Sequence, residues 1–269
     1  MKTSKYSPLL GSSLLFVAMP LAAHDFWLDP STFHAQPGDP VSLTLRVGEN
    51  LQGDTLPYID DWFSDYRVLS DSSERSIDGT MGDDPAGGFI AGTPGMYLVG
   101  YRSTNNFVEM ESQKFHDYLA KEGLESVIEI RNQRGNADTA GREDYSRCAK
   151  TLVSVGDKWS GNIFNKSLGY TLELIPEINP YAMSPGDSLP VQLLYLSEPI
   201  KDVLVIAFTQ ADPEQKVSAR TDASGRVSLK LSRPGTWLVK AVHIIEMPPD
   251  DKKADWESFW ASLTFEIDT

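Results

Sequence analysis

The chain has 269 residues, a formal charge of −14 and a single cysteine. The excess of acid argues against nucleic acid or an anionic membrane surface as a partner. One cysteine excludes an intrachain disulfide, and the length is enough for two modest cores.

Lys2 and Lys5 precede an apolar run from Leu9 to Leu21, which closes in Pro20-Leu21-Ala22-Ala23. That is the shape of a signal peptide spanning 1–23. Gly11, Ser12, Ser13 and Pro20 interrupt the run, so it is too short for a membrane span. Cleavage after Ala23 fits the recognition positions best, with cleavage after Ala22 as the alternative. No second apolar run of about 18 residues follows, so no direct membrane insertion is expected after cleavage. The expected location is the periplasm.

The mature chain contains an internal repeat. Gln36-Pro37-Gly38-Asp39 leads into the alternating stretch Pro40–Val47, and Ser184-Pro185-Gly186-Asp187 leads into Ser188–Tyr195. Thr93-Pro94-Gly95 and Arg233-Pro234-Gly235 likewise each feed a strand with an aromatic at the same place, Tyr97 and Trp237. Pro-Gly turns feeding alternating strands at short spacing predict a mainly β chain of two immunoglobulin-like antiparallel β-sandwich domains. The first domain is expected over 24–160, with a helical insertion at about 106–150. The second is expected over 166–269, with the boundary within Ser160–Lys166.

Within the insertion, Asn106 caps an expected helix over Phe107–Lys121, stopped by Gly123. Ile130–Arg142 reads as a loop, Glu143–Lys150 as a short helix and Thr151–Val155 as a returning strand. In the second domain, strands are expected over 170–175, 188–196, 203–208, 216–221, 226–231, 236–245 and 262–267. Between the last two, Met247–Trp260 reads as an excursion with a short helix carrying Trp256, Phe259 and Trp260. Those rings need a surface, either the neighbouring domain or a partner.

Each of the four histidines can be weighed. Cleavage after Ala23 would put the α-amine and imidazole of His24 on one terminal residue, a nitrogen pair suited to copper or nickel. Cleavage after Ala22 would instead offer the amine, the His24 amide and the ring as three corners of a square plane. By period two, His243 shares a strand face with Trp237, Val239, Ala241 and Ile245, opposite Lys240. It is either a buried neutral histidine or a remote ligand. His116 lies on the flank of the expected helix as a third candidate, and His34 precedes a turn. Paired carboxylates are common, but none has calcium-loop spacing. No phosphate loop, Gly-x-Ser-x-Gly elbow or His-Glu-x-x-His motif is present, so no enzyme is expected.

The mature start Ala23-His24-Asp25-Phe26-Trp27-Leu28-Asp29-Pro30 resembles the opening of the NikM-like periplasmic family associated with nickel and cobalt uptake. Similar stretches are Gly95–Val99, Gly141–Arg147, Asn179-Pro180-Tyr181 and Asp255–Phe265. The resemblance implies immunoglobulin-like domains and a link to nickel or cobalt handling, with a membrane metal transporter or receptor as partner. In the transporter subunits a histidine after one N-terminal residue helps to hold nickel. His24 matches that pattern only if Ala23 is retained. The functional expectation is thus a periplasmic binding protein for nickel, cobalt or copper, with His24, His243 and His116 as metal ligands. The alternatives are a structural or protein-interaction module of the envelope, and carbohydrate binding at Trp62, Phe63 and Tyr66.

Overall fold

The computed structural model describes residues 24–157 and 161–268. The expected signal segment, its cleavage point and Ser160 at the expected boundary lie outside the described residues. The chain opens with β1 (Asp25–Pro30), β2 (His34–Ala35), β3 (Pro40–Glu49) and β4 (Gln52–Leu56). There follow β5 (Phe63–Ser70), β6 (Ser73–Ser76), β7 (Gly88–Ile90), β8 (Gly95–Ser103) and β9 (Asn106–Met110). Two helices, α1 (Ser112–Lys121) and α2 (Glu125–Arg134), lead to the long strand β10 (Gly141–Val155). The second half holds β11 (Leu172–Pro176), β12 (Ser188–Tyr195), β13 (Glu198–Pro199), β14 (Leu204–Thr209) and β15 (Asp212–Arg220). It closes with β16 (Arg226–Lys230), β17 (Gly235–Glu246) and β18 (Trp256–Ile267).

The architecture is mainly β, with two β-sandwiches that share one spine. A 10-stranded sheet runs β15-β14-β17-β18-β10-β8-β5-β6, with β2 and β9 also pairing β10. Its halves join through the parallel pair β10–β18, where Glu143 stands opposite Trp256 and Thr151 opposite Thr264. A smaller sheet of β1, β3, β4 and β7 packs Leu28, Val41, Leu43 and Leu45 against Val68, Val99, Ala149 and Val153. The sheet of β11, β12, β13 and β16 packs Leu174, Val191 and Leu229 against Val205, Val239, Leu263 and Phe265. Strand parity puts these two layers on opposite faces of the spine. Ala149 and Val153 point one way from β10, Leu152 the other.

The repeat is visible in its hydrogen bonds. Gly38 N donates to Ala91 O at 2.6 Å, and Gly186 N to Leu231 O at 2.7 Å. Asp39 Oδ2 accepts from Gln36 N, and Asp187 Oδ2 from Ser184 N, both at 2.8 Å. Both turns need a left-handed glycine, with φ of +98° at Gly38 and +101° at Gly186.

Four local expectations are corrected. The helix expected from Phe107 begins only at Ser112, because Asn106–Met110 pairs with β10 from Tyr145 to Gly141. The stretch Ile130–Arg142, read as a loop, contains the end of α2 and the start of β10. Glu143–Lys150 is strand rather than helix. Two of its charged side chains are paired, Asp144 with Lys253 at 2.6 Å and Lys150 with Glu173 at 3.0 Å. The Trp256–Trp260 segment is also strand. Trp256 and Trp260 bury against Phe115, Tyr118 and Leu119 of α1, while Phe259 joins the second sandwich core on the other face.

Candidate functional site

The site is built at the start of the described chain. Strand β1 pairs antiparallel with β3, placing Asp25 opposite Gly48 and Pro30 opposite Leu43. Alternation then turns Phe26 and Leu28 into the first sandwich and turns Asp25 and Trp27 the other way, toward β17 and β14. There Lys240 Nζ donates to Asp25 Oδ1 at 2.5 Å and to Glu122 Oε1 at 2.7 Å. All three side chains are buried.

Burial works to lower the Lys240 pKa, but Asp25 and Glu122 outweigh it, and the net direction is upward. Burial raises Glu122, against the pull of Lys240. One ammonium therefore faces two carboxylates, and the cluster carries an excess of acid. Beside it, Lys121 donates to Glu49 Oε1 at 2.7 Å and draws that carboxyl below its usual range, with a smaller contribution from His24. His24 is half-buried. The last residue before β1 thus adjoins an acidic patch, and the next residue is pinned from below.

The other expected ligands lie elsewhere. His116 is exposed on α1. His243 occupies the face of β17 expected from its parity, opposite Lys240. Its ring meets Tyr195 edge-on at 4.6 Å, and burial lowers its pKa to about 4, so it is neutral near pH 7. It lines a cleft of about 700 Å³ with the start of α2, residues 200–204 and Arg220. Among the described residues no group of three His, Cys, Asp or Glu side chains is placed to hold a metal ion. His24, His116 and His243 are therefore not brought together as such a group.

The residues suggested by the rival readings are also placed. Trp256 and Trp260 are buried within the fold. Tyr66 is buried among Tyr58, Phe63 and Tyr101, whereas Trp62 is 41% exposed. The residues that sequence reasoning missed are Asp25, Glu122 and Lys240. The available signal was a lysine inside the otherwise apolar run Trp237-Leu238-Val239-Lys240-Ala241-Val242, a pattern that calls for a buried partner.

Residues 21–245 match the sequence profile of a family described as "Domain of unknown function (DUF4198)". Comparison with curated proteins gives no match. Among solved structures, the D0-D1 domain of intimin aligns over 91% of this chain and 98% of its own, at 12% identity and a TM-score of 0.22. Three N-terminal domains of the outer capsid protein Hoc of bacteriophage RB49 align over 89% of this chain and 59% of their own, at 11% identity and a TM-score of 0.18. Dimeric latent PorU from Porphyromonas gingivalis aligns over 89% of this chain and 20% of its own, at 11% identity and a TM-score of 0.20. None of these structural likenesses bears on function.

Proposed function

The chain belongs to the DUF4198 family, and we propose that it is an exported, periplasmic binding protein that takes nickel, cobalt or copper at its processed N-terminus. The observation that carries this reading is the anchoring of Asp25 by Lys240 in a cluster with one carboxylate to spare. A chain cut after Ala23 begins at His24, so its amine and imidazole would start from a residue whose neighbour is fixed. Fixing the donors lowers the ordering cost of chelation. A terminal amine ordinarily titrates near about pH 8 and gives up its proton to a metal at modest cost. The residues fit a terminal chelate of the His24 nitrogens with Glu49 close by. They do not fit a closed cage of protein ligands. A bound transition metal would be cargo here.

No helix among the described residues is long and apolar enough to cross a membrane. In this reading, movement across the membrane belongs to a separate transporter to which this chain delivers metal.

Calorimetric titration of protein exported and cut at its natural site with nickel, cobalt and copper tests the reading. One metal per chain is expected, with affinity falling more than about tenfold in His24→Ala and unchanged in His116→Ala. Equal affinity in His24→Ala would refute it.

A further inference from the structure

A second site, independent of the metal reading, lies where β14 and β17 part. The two strands pair from Thr209 opposite Trp237 to Val205 opposite Ala241, and there the ladder stops. Continued in register, it would set Leu204 against Val242, Val203 against His243 and Asp202 against Ile244. Residues 202–203 are instead held to the end of β15. Val203 N donates to Thr221 Oγ1 at 3.0 Å and Asp202 N to Thr221 O at 2.9 Å, with a left-handed φ of +61° at Asp202. Strand β17 nevertheless runs on to Glu246, paired with β18 along its other side. Among the described residues, no strand pairs with Val242–Glu246 on the β14 side. We propose that this open edge takes up an extended segment of a partner protein, added as a strand beside β17 and carrying one basic and one acidic side chain.

The chemistry of the segment follows from the edge and its surroundings. A strand turns the N–H and C=O of every second residue to each side, so the unpaired stretch offers main-chain donors and acceptors to a new strand. At about 3.4 Å per residue it has room for about five residues. The edge is recessed: Val242, His243 and Ile244 line the cleft of about 700 Å³ beside α2. That volume is in the range of built ligand sites. A recessed edge admits a loose segment more readily than the sheet edge of a second folded copy. The charges of the cleft are partly spent, because Arg220 pairs with Glu125 at 2.5 Å and with Asp202 at 3.7 Å. Glu129 on α2 and Lys201 before β14 also line the cleft and form no ion pair among the described residues. A base for Glu129 and an acid for Lys201 complete the match.

The probe is the blocked peptide acetyl-Lys-Val-Thr-Val-Glu-amide. Calorimetric titration into the full processed chain should saturate below about 1 mM. Two N-methylated analogues separate a main-chain ladder from adhesion through side chains. One is methylated at both valines, the other at the threonine and glutamate. Only one of these sets can face β17, so one analogue should bind about tenfold weaker or worse and the other within about threefold of the parent. Glu129 is exposed on α2, so Glu129→Lys leaves the fold intact. It should weaken the probe about fivefold and favour a peptide with glutamate in place of the lysine. No saturable binding, equal effects of the two methylation patterns, or unchanged affinity in Glu129→Lys would each overturn the proposal. So would a dimer of the chain that Glu129→Lys dissolves, since the occupant would then be a second copy.

Discussion

Two lysines lie buried in the same ten-stranded sheet, separated by β18, and they are treated differently. Lys150 on β10 meets one carboxylate, Glu173, at 3.0 Å on the face covered by the second sandwich. Glu173 also accepts from Ser167 Oγ at 2.7 Å, Leu168 N at 2.6 Å and Gly169 N at 3.2 Å. That pair is balanced and closed. Lys240 on β17 faces the other way and meets two carboxylates beside the chain start. Burying charge costs several kcal/mol per ion and is tolerated only with good partners. The balanced pair straps β11 to the spine. The unbalanced one sets two carboxyl groups against one ammonium at the place where the processed chain would present its amine and His24.

The largest effect should come from breaking the unbalanced cluster. Lys240→Met leaves two buried carboxylates side by side and should cost about 5 kcal/mol, the upper end for a broken buried pair. Urea denaturation measures this, and a loss under about 1 kcal/mol would show that the carboxylates escape to water. Lys150→Met should cost less, about 3 to 4 kcal/mol, because Glu173 keeps three other donors. Replacing both partners, as in Lys150→Met with Glu173→Leu, should recover most of that loss.

A third buried charge sharpens the contrast because it is stabilised by hydroxyls instead of a lysine. Glu143 accepts from Ser258 Oγ and, at 3.4 Å, from Tyr118 OH, and burial raises its pKa to about 7. Between pH 4.5 and about 7 the folded chain holds a proton that the unfolded chain has released. Stability attributable to Glu143 is therefore full below pH 4.5, falls as pH rises through this window and levels off above it. The total loss is roughly 3 kcal/mol at most. Glu143→Gln should remove that slope and be more stable than the natural protein at about pH 8. Denaturation midpoints from about pH 4 to about pH 8 check this, and parallel profiles for the two proteins would contradict it.

These buried charges also explain which parts of the fold were legible. The paired Pro-Gly turns were, because a left-handed glycine and an aspartate cap leave a local signature. Strands such as β16 were, because Val227 and Leu229 alternate with exposed Arg226, Ser228 and Lys230. Strand β10 was not. It is covered on both faces, and its charged residues find partners far along the chain, which hides the strand period. In β18, Trp256, Phe259 and Trp260 have helical spacing, yet they divide between two faces of a sheet. The end of α2, from Ile130 on, looked like a loop because only Val127 and Arg131 of the helix are buried. His24 stood out by its place in the sequence. Its supporting cluster did not, since Asp25 and Glu122 lie 215 and 118 residues from Lys240.

Chemical acetylation of the terminal amine, with every side chain left intact, is the most direct test of the proposed chelate. Native mass spectrometry of the exported chain, before and after that single modification, should show one nickel, cobalt or copper ion held only by the unmodified form. An acetylated chain that retains the ion equally well would contradict a site built on the chain's own beginning.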